Sequence, residues 1–285
     1  MADFRNYAKA MASGVLRRSG LQLRRVSKHN RHDRICDIAL PHHSTPRVIV
    51  NTTPKAGTYL FASIVEELGF HHSHLHLGDE KLQAYDRNLL DEGLRNPRLF
   101  DVHLPLSESR NLVRSGELAV GHLAYSPERE REFSQFKMIL VMREVRASLI
   151  SFARMLAFSG KSGSEIATKI KREGVAPFLE LRGKARLQQI EKIVAWRDCP
   201  QVCLLKFEDL AENPSAVVEK IAKFLNLSGI EPNSVYEKAC NKATLTKGEK
   251  YPQVIWDDRA ERLFTELGGR ELNSKLGYRT DTKHS

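Results

Sequence analysis

The hydrophobic pattern of the chain changes period abruptly in several places, and basic residues stand at the changes. Residues 47 to 53, Arg-Val-Ile-Val-Asn-Thr-Thr, form a short β-branched run that predicts a buried strand. Leu60, Phe61, Ile64, Val65 and Leu68 then recur at helical spacing, so a helix begins within the turn that holds Lys55, Ala56, Gly57, Thr58 and Tyr59. A second switch runs from an apolar strand, Met138 to Met142, through Arg143 into a helix carrying Leu149, Ile150, Phe152, Met155 and Leu156. A third leads from Cys203-Leu-Leu-Lys206 past Asn213-Pro214 into a helix through Val217, Val218, Ile221, Phe224 and Leu225. Strand and helix patterns alternate throughout, which predicts an α/β fold with a parallel sheet covered by helices on both faces.

Length and charge sharpen this picture. The chain has 285 residues, enough for one α/β domain with a sizeable core, and no break in composition divides residues 47 to 278. The formal charge of +10 is concentrated at the start: residues 1–47 hold ten Arg or Lys against three Asp. We therefore expect a basic N-terminal arm, residues 1–46, followed by one domain, residues 47–285. The arm has no apolar run long enough for a secretory signal or a membrane span. Phe4, Tyr7, Met11, Val15 and Leu16 fall near one helical face, so it either rests on an anionic membrane or docks on its own domain or stays solvated. No nucleic-acid motif accompanies the basic residues. The four cysteines, at 36, 199, 203 and 240, contain no C-x-x-C pair and fit a reduced cytoplasm.

The turn around Lys55 has the makings of an anion cradle. It lies at a helix N-terminus, where unpaired N–H groups and the macrodipole favour phosphate or sulfate. Gly57 lets backbone approach the anion, Thr58 caps the helix or offers its hydroxyl, and Lys55 adds a mobile charge. The nucleotide-kinase order G-x-x-x-x-G-K-S/T is absent, because Lys55 precedes Gly57 by two residues. Pro54-Lys-Ala-Gly-Thr58 resembles instead the 5′-phosphosulfate loop of the sulfotransferases, usually written Pro-Lys-Ser-Gly-Thr-Thr. Arg143 and Ser151, eight residues apart, resemble the arginine and serine with which that family binds the 3′-phosphate of its donor. Glu144-Val145 replaces the usual Asp-Pro, while Arg146 keeps the second arginine. Thr246-Lys-Gly-Glu-Lys-Tyr-Pro-Gln-Val-Ile-Trp256 resembles the Lys-Gly segment that closes over the same phosphate, here Lys247 and Gly248. The Cys203 to Leu210 segment and Leu276-Gly-Tyr278 also fit, so the likeness spans roughly residues 47 to 278.

The resemblance, to soluble bacterial-type sulfotransferases, implies a three-layer fold related to the nucleotide kinases. It also implies 3′-phosphoadenosine 5′-phosphosulfate (PAPS) as donor, with adenosine 3′,5′-bisphosphate (PAP) as its product. Sulfuryl transfer would go to an acceptor hydroxyl or amine on a small molecule, glycan or lipid, without a metal. An alcohol must lose a proton, and histidine titrates near neutrality. His122, in Gly121-His-Leu-Ala-Tyr125, precedes Arg143 by 21 residues and resembles the family's catalytic His-Leu segment. His103, in Val102-His-Leu-Pro-Leu106, is its rival at forty residues from Arg143. Glu66 or Glu67 is the carboxylate alternative. His72, His74 and His76 would share one face of a strand, a pattern that fits the mouth of an acceptor pocket, or plain exposure, better than a metal site. Glu128-Arg-Glu-Arg-Glu132 reads as a solvated helix start after Pro127. Ser159-Gly-Lys-Ser-Gly-Ser164 reads as a surface loop or a lid. The acceptor pocket itself falls to residues 70–120 and 155–195, where the resemblance is weakest. A nucleotide-dependent kinase and a non-catalytic binder of anionic polysaccharide or lipid are the alternatives.

Overall fold

A computed structural model describes residues 45–85, 98–158, 165–242 and 252–278. The expectations for residues 1–44 of the arm, for Lys247 and Gly248, and for the loop at 159–164 lie outside the described residues. Within them, seven strands form one sheet: β1 (Arg47–Thr52), β2 (His71–Leu77), β3 (Lys81–Tyr85), β4 (Arg98–His103), β5 (Glu117–Gly121), β6 (Phe136–Met142) and β7 (Val202–Lys206). Their order is β4-β3-β2-β5-β1-β6-β7. From β2 to β7 every neighbouring pair is parallel. The expected parallel sheet therefore needs a correction at one edge, where β3 runs antiparallel to both β2 and β4. The physical reason lies in the connection: only three residues separate β2 from β3, far too few for a parallel crossover.

The helices are α1 (Thr58–Glu67), α2 (Leu106–Ser109), α3 (Pro127–Glu132), α4 (Val145–Phe158), α5 (Glu165–Glu173), α6 (Ala176–Phe178), α7 (Lys184–Val194), α8 (Phe207–Glu212), α9 (Pro214–Phe224), α10 (Pro232–Lys242), α11 (Asp258–Glu266) and α12 (Gly269–Lys275). The period-two alternation of the central strands divides the core between two faces. Val48 and Val50 of β1 join Leu118, Val120, Ile139 and Val141 against α1, α9 and α10. Ile49 points the other way and packs with Ala119, Met138 and Leu140 against Trp196 and Phe133. A further apolar cluster, centred on Leu149, Phe178, Ile190 and Phe264, joins α4 to α7, α11 and α12 on that second face. Three layers result. Among the described residues, no helix is long and apolar enough to cross a membrane.

Candidate active site

Parallel strands deliver their carboxyl ends to one rim of the sheet, and ligands of open α/β sheets lie where the strand order reverses. Here that point is β1, flanked by β5 and β6. Residues just beyond the strand ends therefore line up about 4.8 Å apart. His122 follows β5, the Lys55 turn follows β1, Arg143 follows β6, and Phe207 and Glu208 follow β7.

The turn after β1 is tightly specified. Gly57 is the N-cap of α1 at φ 81°, and no side chain caps the helix. A Cβ at this position would lie 2.8 Å from the ring of Phe207, so the site requires glycine for space as well as for backbone conformation. Lys55 adopts φ 68°, a left-handed conformation that costs a lysine on the order of 1 kcal/mol. Among the described residues its Nζ reaches only the thioether of Met155, at 3.7 Å. Burial pushes the pKa of Lys55 down from the ordinary lysine value, and Arg143 and Arg154 push the same way. An arriving anion would relieve all three.

Thr58, expected as a possible cap, is instead the first residue of α1, and its hydroxyl pairs with that of Thr52 at 2.7 Å. Arg143 donates from Nη1 to the Lys55 carbonyl at 3.0 Å, and its guanidinium lies 4.7 Å over the Phe207 ring. Its Nε is buried without a partner among the described residues.

The N-terminus of α4 is built in the opposite way. Glu144 accepts from the N–H groups of Arg146 (3.0 Å) and Ala147 (2.5 Å). Val145, unlike a proline, has an N–H to place, and Asn273 Oδ1 accepts it at 2.8 Å. Glu208 accepts the Glu144 N–H at 3.0 Å and the Tyr278 hydroxyl at 2.9 Å. Burial first, and then the Glu208 charge, push the Tyr278 pKa up. Of the two helix starts at this rim, α4 is closed by the side chains of Glu144, Asn273 and Glu208, whereas among the described residues no side chain caps α1.

His122 sits half-buried beside the uncapped one. Its Nδ1 is 2.7 Å from the Thr52 carbonyl, with the Thr52 hydroxyl at 3.3 Å. A carbonyl only accepts, so Nδ1 carries the proton and Nε2 of the neutral ring keeps its lone pair. Burial lowers the His122 pKa below the usual 6.5, the Thr52 carbonyl opposes this, and Lys55 and Arg186 add to it. The backbone just after His122 is held by Asn51, which donates to the Leu123 carbonyl at 3.0 Å and accepts from the Leu123 N–H at 2.7 Å. Trp196 donates to the same carbonyl at 3.0 Å.

Other expected residues fall elsewhere. Ser148, not Ser151, bonds to the turn, donating to the Pro54 carbonyl at 2.6 Å; Ser151 is three residues further along α4. His103 is exposed at the end of β4, three strands from β5 or about 14 Å across the sheet. Glu66 and Glu67 lie in the last turn of α1, about 12 Å along its axis from Thr58.

The three histidines of β2 do not form the regular face that alternation predicts: the rings of His72 and His74 stack with centroids 4.9 Å apart, and His76 lies apart from them beyond a shift of register. His74 has φ 57°, and the register slips between His72 and His76, leaving His72 buried and His74 exposed. Of the three, His76 meets the site, edge-on to His122 with ring centroids 5.0 Å apart. Among the described residues, no group of three His, Cys, Asp or Glu is arranged to hold a metal. Asn51, Thr52, Ser148, Arg186 and Phe207 were not anticipated. Asn51 did leave a signal, an amide inside an otherwise apolar strand.

A family model described as "Sulfotransferase domain" matches residues 45–254. No curated protein matches the chain. Among solved structures, the chain is similar to mouse sulfotransferase SULT7A1 complexed with PAP, at 16% identity and a TM-score of 0.50, covering 81% of this chain and 86% of that one. It is also similar to a sulfotransferase from Alicyclobacillus acidocaldarius, at 14% identity and a TM-score of 0.48, covering 83% and 97%.

Proposed function

The chain belongs to the sulfotransferase family, and on that footing we propose that it uses PAPS to sulfate an acceptor hydroxyl or amine, with His122 as general base. The open N-terminus of α1 carries this reading. Gly57 there leaves no room for a Cβ, and among the described residues Arg143 keeps a buried Nε unpaired beside the same turn. Those features fit a nucleotide with two phosphate groups such as PAP, the ligand of the mouse structure.

When bound, PAPS supplies a sulfuryl group on a phosphate leaving group. Lys55, Ala56, Gly57, Thr58 and Tyr59 would hold the phosphosulfate, and Lys55 would neutralise charge growing on the bridging oxygen. Arg143 and Ser151, with Lys247 and Gly248, would hold the 3′-phosphate. His122 Nε2 would take the proton of the acceptor as its oxygen bonds to sulfur. The acceptor is a small molecule, a glycan or a lipid. The catalytic domain is taken as residues 47–285, with residues 1–46 as a basic arm suited to an anionic membrane surface.

His122→Ala is expected to slow transfer by about a hundredfold while leaving PAP affinity nearly unchanged. A protonated imidazole cannot accept a proton, and burial favours the neutral ring. The kcat/KM of the wild type should therefore fall on the acid side of pH 6.5, and His122→Ala should lose that limb. His103→Ala should behave as wild type, and loss of activity there instead would transfer the role. For the donor, calorimetry should show Arg143→Ala weakening PAP by about 2 to 3 kcal/mol while hardly altering adenosine 5′-phosphate. Ser151→Ala should show the same pattern at smaller size. Equal losses for both nucleotides would remove these residues from the 3′-phosphate.

A further inference from the structure

Beyond the residues assigned to the donor and to proton transfer, Arg154 and Arg186 are further cations within electrostatic range of the site, and Arg186 is the one that stands over an aromatic face. Ser148, Phe152 and Met155 of α4 are spaced four and three residues apart, so they share a helical face. Ser148 touches the Lys55 turn through Pro54, and Met155 receives the Lys55 ammonium. Phe152, between them, stacks on Phe178 with centroids 5.5 Å apart. Above Phe152, at 4.2 Å from the ring centroid, lies the guanidinium of Arg186 from α7.

Arg186 is half-buried and oddly provided for. Among the described residues, the only side-chain oxygen bonded to it is the neutral amide of Gln189, at 2.6 Å. Burial lowers its pKa, and so does Arg182 four residues earlier, a like-charge pair that is unfavourable on a helix. No carboxylate of the described residues offsets it, and the nearby Glu180 is committed to Arg259. A widened π-turn, Leu179–Gly183, immediately precedes α7. One residue inserted into a helix rotates the next turns by about 100°, and such insertions recur at functional sites. The charge of Arg186 also reaches His122. Arg186 lies in the stretch from 155 to 195 expected to form the acceptor pocket.

We propose that Arg186 is a specificity-determining residue that binds an anionic oxygen group, carboxylate or sulfate, carried by the acceptor, whose apolar part lies against the half-buried Phe152 and Met155. Resting on the reading of His122 and Lys55 as sulfuryl-transfer residues, this narrows the acceptor to an anionic amphiphile bearing a hydroxyl or amine. The guanidinium fork matches such a group with two parallel N–H bonds, and the ring beneath holds the fork flat.

The test titrates the protein–PAP complex by calorimetry with two matched pairs: p-hydroxyphenylacetate against p-hydroxyphenylacetamide, and octanoate against octanamide. The acid of at least one pair is expected to bind about tenfold or more tightly than its amide. Arg186→Gln should abolish the preference while changing PAP affinity less than about twofold, and Arg186→Lys should restore only part of it. Equal binding within both pairs, no binding of any probe, or a preference that survives Arg186→Gln would overturn the proposal. So would an Arg186→Gln protein that loses PAP as well, since the residue would then belong to the donor. If wild-type protein fails to bind PAP, it is the sulfotransferase reading that fails first.

Discussion

Lys55→Ala is expected to slow sulfuryl transfer by about a hundred- to a thousandfold, the size of effect seen when one preorganised group facing developing charge is removed. The native protein makes little other use of this side chain. Among the described residues its ammonium touches only a thioether, and burial together with two neighbouring arginines already disfavours its charge. Removing it should therefore leave the unfolding midpoint within a few degrees of wild type, because the strained backbone at φ 68° is the same for alanine. Turnover and a denaturation curve on the same preparation check both halves. Near-wild-type turnover in folded Lys55→Ala protein would exclude the residue from the reaction.

Trp196→Ala should give the largest loss of stability of any substitution considered, about 3 to 5 kcal/mol by urea denaturation. The indole is completely buried and meets Tyr125 and Phe133 edge-on. Its loss would open a cavity behind the His122 loop, since its N–H also holds the Leu123 carbonyl. Trp196→Phe separates the two contributions. Most of the volume would return, and Asn51 would still satisfy that carbonyl, so the loss should shrink to roughly 1 to 2 kcal/mol. A cost below about 1 kcal/mol for Trp196→Ala would mean that the surrounding side chains collapse into the space.

The central strands and the helices after them were legible because each carries its own period. β1 and α1 differ by at most one residue from the limits that the apolar pattern of 47–68 suggests. The Lys55 turn and Arg143 were legible for a related reason, each marking a change of period within a few residues. What escaped was set by contacts distant in sequence. Phe207 excludes a side chain at Gly57 from 150 residues away, and Asn273 caps a helix that begins at Val145. The alternation of His72, His74 and His76 assumed a regular strand, and a left-handed residue at His74 broke it. The antiparallel edge was hidden as well, since β3 carries no apolar run to announce it.

The row of strand ends also has a bearing on how the chain becomes competent. His76, His122, Lys55, Arg143 and Phe207 lie on or just beyond five strands whose spatial sequence, β2-β5-β1-β6-β7, differs from their order of synthesis. No local hairpin can bring any two of these strands together, because each parallel pairing needs a crossover. The Lys55 turn and the histidine beside it thus come together only after the slow, non-local steps of folding are complete. Nucleotide binding by this chain would be a late event on its folding route, able to trap the finished sheet but not to template it.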